Sequence, residues 1–250
     1  MAPKRTDSLD YLTGRLSGLP RPHWISEPGG GGKFTPAGRV LPFPGNTTVF
    51  HIDPASDAHA ALTDMQNALK AGPDAGHFTF LPPDSFHMTL FQGVSGNPLS
   101  RDHWPGDVTP DASRDALSRV FQDRLAGLDV PQGLRVRATD LFAGHSVTVQ
   151  GATDADEQAL RQARRQMRDQ MRLFPPHFDD YVFHISLSYV THWLDDAAAR
   201  RVIALSDDLH AHFGARLSDI RLRTAEFCTF DDMYHFAPLM PLRQTEKAAR

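Results

Sequence analysis

The 250-residue sequence has a single cysteine, Cys228, and no long apolar segment. One cysteine excludes an intramolecular disulfide, which is typical of proteins from reducing compartments. The sequence contains no run of 18 apolar residues, and the basic residues near the N-terminus are not followed by an apolar stretch. We therefore expect neither a transmembrane helix nor a secretory signal, and predict a cytoplasmic protein without a membrane partner.

The sequence also lacks an excess of positive charge. It has 26 Lys and Arg against 30 Asp and Glu, which gives a formal net charge of −4. Proteins that coat duplex nucleic acid usually carry the opposite sign, so no stable duplex partner is expected. The content of 40% hydrophobic and 22% charged residues is that of a globular protein with a sizeable core. A monomer is expected.

Residues 1–45 are rich in glycine and proline, and four glycines directly precede Lys33. A Walker-type phosphate loop needs a glycine five residues before the Gly-Lys pair and a hydroxyl residue after it. Glu27 and Phe34 occupy those positions, so the glycine run is interpreted as a turn. Residues 1–45 are predicted to be an extension packed on a domain of residues 46–250. Lys33 is a candidate for binding a substrate phosphate.

From Asn46 onward, short strand patterns alternate with helical periodicities. The segments 78–81 and 86–93 are predicted to be strands joined by a Pro-Pro-Asp-Ser turn. Further strands are expected at 46–52, 134–142, 146–151, 183–190 and 220–230, and helices at 55–71, 111–126, 154–173 and 195–213. Strand pairs of hairpin spacing mixed with helices predict an α+β fold with mainly antiparallel sheets.

One pentapeptide pattern, Phe-His-apolar-hydroxyl-Leu, occurs twice, as FHMTL at 86–90 and FHISL at 183–187. Each copy follows a Pro-Pro pair, which indicates an internal duplication. Residues i and i+2 of a strand point to the same side. In each copy, the histidine and the hydroxyl residue therefore share one face, and the apolar residues form the other.

The His-x-[Ser/Thr] core alone carries little information, because about one or two such triplets are expected by chance among 13 histidines. A third triplet begins at His77, but Gly76 precedes it and the second half of the chain has no counterpart. We interpret His77 as a chance match. His87 and His184 are the stronger candidates, because the residues on either side of them match.

The segments HMTL at 87–90 and HISL at 184–187 resemble the signature of the two-histidine phosphoesterases, H-x-[ST]-apolar written twice about a hundred residues apart. That superfamily includes bacterial RNA 2′,3′-cyclic phosphodiesterases and related cyclic nucleotide phosphodiesterases. The segments GGGGKF, PFPGNT and LPPDSFHMTL further resemble a bacterial subgroup of it.

The resemblance implies a bilobal, duplicated fold in which two mainly antiparallel sheets, flanked by helices, face a central cleft. It also implies phosphodiester hydrolysis or transesterification without a metal or cofactor, on a nucleotide or an RNA end. Carried over by position, His87 and His184 become the acid–base pair, and Thr89 and Ser186 the phosphate ligands.

The chemistry of these residue types agrees with that assignment. An imidazole has an ordinary pKa of about 6.5, so it can accept or donate a proton near neutral pH. Hydroxyl groups can donate hydrogen bonds to the non-bridging oxygens of a phosphate. The two motifs are nearly symmetric, so the sequence does not tell which histidine is the base.

Other residues are less constrained by the pattern. Gln92 and Tyr189 each follow a motif histidine by five positions, which puts them on the opposite strand face unless a bulge intervenes. Core or edge positions are expected for both, and Tyr189 is kept with Lys33 as a candidate for substrate binding. Tyr234, His235 and Phe236 are interpreted as a packing segment, with stacking on a base as the alternative.

Two other functions remain open. A metal-dependent hydrolase could use His210 and His212, but residues i and i+2 of a helix do not share a face, and no H-E-x-x-H spacing occurs. A non-catalytic module could hold a nucleotide or an RNA end in the same cleft. The sequence does not identify the substrate.

Overall fold

The computed structural model describes residues 6–245. The first five residues of the predicted segment 1–45 and the last five of the predicted segment 46–250 lie outside the described residues. Within this range, the helices are α1 Ser8–Thr13, α2 Asp57–Ala71, α3 Arg114–Leu125, α4 Asp154–Met171 and α5 Asp196–Phe213. The strands are β1 Gly45–His51, β2 Phe78–Phe80, β3 His87–Ser95, β4 Asp129–Pro131, β5 Arg135–Phe142, β6 Ser146–Gly151, β7 His184–Ser186, β8 Ser188–Val190, β9 Ile220–Arg221, β10 Glu226–Phe230, β11 Ala237–Pro241 and β12 Arg243–Thr245.

Eight strands form one antiparallel sheet in the order β11-β10-β1-β3-β7-β6-β5-β9. One half of the sheet contains β1, β3, β10 and β11, and the other contains β5, β6, β7 and β9. The two halves meet where β3 pairs with β7 through Met88 and Ile185. Two small sheets, β2 with β8 and β4 with β12, complete the structure. The predicted α+β class with mainly antiparallel sheets is confirmed.

The large sheet is strongly curled. The chain passes from β9 at one edge to β10 near the other through residues 222–225 alone. Such a link spans at most about 18 Å. Six strand spacings in a flat sheet would require about 29 Å. The two edges must therefore approach each other, and the sheet bends along its width.

The two faces of the central strands have different environments, as the alternation predicts. The apolar motif residues on one face are at most 1% exposed and belong to the main core with helices α2, α3 and α4; they are Phe86, Met88, Leu90, Phe183, Ile185 and Leu187. The histidines and hydroxyl residues occupy the other face and remain partly exposed. One face therefore stabilises the fold while the other carries polar chemistry.

The Gly/Pro-rich segment is ordered over its described part and packs on the sheet. Ile25, Phe34 and Phe43 form a separate buried cluster with residues of β1 and β10, including Val49 and Cys228. The amide of Phe43 donates to the carbonyl of Asp231, which fixes the end of the segment. The division of the chain into an extension and a domain at residue 46 stays a prediction.

Three details of the predicted strands are wrong. β2 does not pair with β3 across the Pro-Pro turn; it pairs with β8 instead, because a 3₁₀ turn at Pro83–Ser85 redirects the chain. The segment 183–190 is broken at Leu187 into β7 and β8. The segment 220–230 is also broken, because Leu222 and Ala225 turn into the core where the chain crosses between the sheet edges.

Among the residues that the structure describes, no helix combines the length and apolar character needed to cross a bilayer.

The pairing of Met88 with Ile185 is predicted to hold the two halves of the sheet together. Ile185 is 0% exposed, so Ile185→Ala leaves a cavity and should lower the free energy of unfolding by about 2–5 kcal/mol. Urea unfolding followed by circular dichroism measures the change. Leu239→Ala, at a position 41% exposed, is the control and should change stability little. A loss below about 1 kcal/mol for Ile185→Ala would contradict this role.

Candidate active site

The two motif histidines are held in the same way in both halves of the molecule. His87 Nδ1 lies 2.7 Å from the carbonyl oxygen of Ser85, and His184 Nδ1 lies 2.8 Å from that of Val182. A carbonyl oxygen only accepts hydrogen bonds, so each Nδ1 must donate. In the neutral ring, Nε2 then carries the lone pair, and each imidazole is oriented through the backbone two residues before it.

The two histidines and the two motif hydroxyls line one cavity of about 210 Å³, here called the central cavity. Met88 and Ile185 pair in antiparallel register, so His87 lies on the side of Ser186, and Thr89 on the side of His184. The structure gives the hydroxyls of Thr89 and Ser186 no hydrogen-bond partner among residues 6–245, so both can donate to a ligand. The arrangement has an approximate two-fold symmetry.

Irregularities in both motif strands bring two more side chains to the same face. In β3, Thr48 and Val49 of β1 face Phe91 and Thr89, so Leu90 is an extra residue in a β-bulge. In the second half, the amides of Leu187 and Ser188 both donate to the carbonyl of His145. Beyond each irregularity the side-chain alternation is reversed. Gln92 and Tyr189 therefore line the central cavity, and the opposite-face expectation is wrong for both.

Lys33 reaches the central cavity from the Gly/Pro-rich segment. Its Nζ lies 3.3 Å from the hydroxyl of Tyr189 and 4.2 Å from the centre of the Trp24 ring. Lys33 has no carboxylate partner among the described residues. Burial lowers the pKa of Lys33 to about 8, so the ammonium group is still largely charged at neutral pH. Burial raises the pKa of Tyr189, which keeps its hydroxyl protonated.

His87 sits in the more constrained of the two histidine positions. The Phe236 ring packs on it at 4.1 Å between ring centres, and the His51 ring lies 6.4 Å away. His51 in turn contacts Glu226, at 2.7 Å from Nδ1 to the carboxylate. Burial, together with the positive charges that His51, His184 and Lys33 can carry, lowers the pKa of His87 to about 4. His87 is therefore neutral in the free protein at neutral pH.

Several residues of this site are not indicated by the sequence pattern. The sequence predicts Phe236 to be a packing residue. In the structure it belongs to a buried cluster and also covers the ring of His87. Trp24 and Phe43 enclose Lys33, and His51 is brought beside His87 by the β1–β3 register. No short sequence pattern predicts these contacts, because each of them depends on pairing between segments that are distant in the chain.

The other histidines singled out in the sequence lie elsewhere. His77 is not in the central cavity, and its carbonyl accepts hydrogen bonds from Thr191. His210 and His212 are in the last turns of α5. Within residues 6–245, no three His, Cys, Asp or Glu side chains come together as a metal site.

Two larger cavities share lining residues with the central cavity. A cavity of about 550 Å³, here called the Arg164 cavity, shares Gln92, Gly93 and Ser95 with it. A second, of about 570 Å³, shares His184 and Tyr189 and is lined by aromatic side chains that include Tyr11 and Trp193. The central cavity therefore has room for a ligand that extends from it.

The low pKa of His87 predicts a measurable pH effect on stability. The ordinary pKa of 6.5 applies to the unfolded chain, so the unfolded protein binds more protons than the folded one between pH 6.5 and about 4. The stability that neutral His87 contributes is present above pH 6.5 and is lost as the pH falls toward 4. An NMR titration of the imidazole nitrogens, assigned with His87→Gln, should give a midpoint below pH 5. A midpoint at pH 6 or above would contradict the lowered pKa of His87.

Comparisons with known proteins show what the chain is similar to. The family model 2H-phosphodiest, described as "Domain of unknown function (DUF1868)", matches residues 33–147 and so includes Lys33 and the first motif. A conserved protein of unknown function from Agrobacterium tumefaciens is 29% identical, with a TM-score of 0.86 over 95% of this chain and 99% of that protein. A protein of Thermus thermophilus is 15% identical, with a TM-score of 0.39 over 79% of this chain and 96% of that one. No curated protein matches the chain. The match to the family model confirms the resemblance of the chain to the two-histidine phosphoesterases, and the Agrobacterium protein shares its fold.

Proposed function

We propose that the protein is a metal-independent phosphodiesterase that acts on a cyclic nucleotide or on an RNA end with a 2′,3′-cyclic phosphate. The family match suggests phosphodiesterase-type activity, and the geometry of the histidines supports the finer assignment. The observation that carries it is the equivalent anchoring of His87 and His184 by Nδ1 in one cavity. The same cavity contains two hydroxyl groups that have no hydrogen-bond partner within residues 6–245.

In the proposed reaction, His87 acts as the base because it is neutral in the free protein. Its Nε2 takes a proton from a water molecule, whose oxygen forms a bond to phosphorus. The bond from phosphorus to one ribose oxygen breaks, and protonated His184 gives its Nε2 proton to that oxygen. The product is a phosphomonoester, and exchange with solvent returns both histidines to their starting protonation states.

The substrate itself adjusts the strength of the base. A pKa of about 4 makes His87 a weak base in the free protein. An anionic phosphate in the central cavity favours the protonated imidazole and raises this pKa toward neutrality. The base is therefore strengthened when substrate is bound, and its pKa moves closer to the operating pH.

Lys33, Thr89 and Ser186 are assigned to the phosphate oxygens. Negative charge builds up on the non-bridging oxygens as water attacks, and hydrogen-bond donors already in place stabilise it. The half-buried ammonium group of Lys33 has no carboxylate partner among residues 6–245, so it is electrostatically suited to such an anion. Tyr189 positions Lys33 through its hydroxyl group.

Single alanine substitutions of the two histidines should each lower kcat by at least 10²–10⁴-fold, because each removes one proton-transfer step. Turnover is measured on 2′,3′- and 3′,5′-cyclic mononucleotides, cyclic dinucleotides and RNA ends with a cyclic phosphate, all with EDTA present. His212→Ala, an exposed helical position, is the control and should retain activity. Activity that EDTA abolishes and metal restores would favour a metal-dependent hydrolase. Binding without turnover by the wild-type protein would favour a non-catalytic module.

The pKa of Lys33 predicts the alkaline side of the pH profile. Lys33 is charged below about pH 8 and neutral above it, so kcat/KM should fall as the pH rises through about 8. Lys33→Met should lower kcat/KM at pH 7 by about 10–100-fold, as expected for loss of one charge-assisted hydrogen bond. The control is Lys70→Met, which removes a charge from the exposed side of α2. Wild-type kcat/KM in Lys33→Met would contradict the assignment.

A further inference from the structure

Arg164 is a buried cation outside the catalytic pair. It lies on α4 and is 3% exposed. Its Nη1 donates a hydrogen bond of 2.5 Å to the carbonyl oxygen of Leu90. Leu90 is the extra residue of the β3 bulge. This contact uses one of the five N–H donors of the guanidinium group. Burial lowers the pKa of Arg164 to about 10, which still leaves it charged at neutral pH.

The charge of Arg164 is not neutralised within the described part of the protein. Its guanidinium carbon lies 3.8 Å from the centre of the Tyr181 ring and 5.0 Å from that of Phe178. The bond to Leu90 is the hydrogen bond that the structure gives Arg164 within residues 6–245. Among residues 6–245, no carboxylate forms an ion pair with Arg164; Asp179 affects its pKa but lies beyond ion-pair distance. A buried, unpaired cation is costly unless an anion binds it.

Arg164 lines the Arg164 cavity, which joins the central cavity along Gln92, Gly93 and Ser95. The same Tyr181 ring that stacks on Arg164 lies 6.1 Å from the ring of His184. Three further histidines line the Arg164 cavity, and Asp102 is the carboxylate residue on its wall. A ligand that extends from the central cavity into the Arg164 cavity would therefore place an anionic group near the guanidinium group of Arg164.

We propose that Arg164 binds a second phosphate group of the substrate. The inference rests on the proposed function, and it narrows the substrate to a nucleotide that carries a further phosphate beside the diester that is cleaved. An RNA end with a 2′,3′-cyclic phosphate has such a group at its 5′ side, as does a 5′-phosphorylated cyclic mononucleotide. An unsubstituted cyclic mononucleotide does not.

The test compares one nucleoside 2′,3′-cyclic phosphate with and without a 5′-phosphate in wild type, R164Q, R164K and R165Q. Arg165 is the matched control, because it is the neighbouring, exposed arginine of the same helix. Wild type should prefer the 5′-phosphorylated compound by about 10–100-fold in kcat/KM, as expected for one charge-assisted contact. R164Q should reduce this preference to below about 3-fold, R164K should retain part of it, and R165Q should leave it unchanged.

If R164Q lowered the turnover of both compounds by the same factor and left the preference intact, Arg164 would have a purely structural role at the bulge. That result would overturn the proposal. The proposal would equally fail if wild type showed no preference, whether or not R164Q folds. A dinucleotide with a cyclic-phosphate end distinguishes an RNA end from a 5′-phosphorylated cyclic mononucleotide as the substrate, because its second phosphate is part of a diester.

Calorimetric titration separates this inference from the proposed function. A nucleoside 3′,5′-bisphosphate should bind wild-type protein at least about 10-fold more tightly than the 3′-monophosphate, and R164Q should lose that difference. This result would support the Arg164 site even if no compound were hydrolysed. Equal affinities for the two compounds in wild type would overturn it even if hydrolysis were observed.

Discussion

The site depends on one contact between strands, the antiparallel pairing of Met88 with Ile185 at the centre of the large sheet. Each of these residues lies between a histidine and a hydroxyl residue, and both point into the main core. Burial of this pair therefore turns four polar side chains to the opposite face and around one cavity. Register matters more here than composition, because a shift by one residue would turn the histidines into the core.

Although the protein has a net charge of −4, two cations line this site and the cavity beside it. Lys33 is half-buried and Arg164 is buried. Both contact aromatic rings, and neither has a carboxylate partner among residues 6–245. Unpaired buried charges oppose folding, so their presence in adjoining cavities is understandable if an anionic ligand binds there. The low pKa of His87 has the same origin in burial and neighbouring positive charge. An anionic substrate would then stabilise the charged groups that process it.

The sequence was sufficient for the fold class, for most element positions and for the two-faced motif strands, since these follow from alternation and helical spacing. It failed where pairing between distant segments decides the outcome. The bulge at Leu90 and the break at Leu187 moved Gln92 and Tyr189 to the cavity face, and neither feature has a local glycine or proline signal. Arg164 could have been suspected, because it falls on the apolar side of α4 between Leu160 and Met167. The contact of Phe236 with His87 had no such signal.

In the proposed reaction, the two histidines act on one phosphate from opposite sides. The most direct measurement is a crystal structure with vanadate bound, since five-coordinate vanadate resembles the phosphorus centre during displacement. We expect vanadate in the central cavity, with the Nε2 atoms of His87 and His184 each within hydrogen-bond distance of a different apical oxygen. Thr89 and Ser186 should contact the equatorial oxygens. Vanadate held by only one of the two histidines, or bound outside the central cavity, would contradict the proposed reaction.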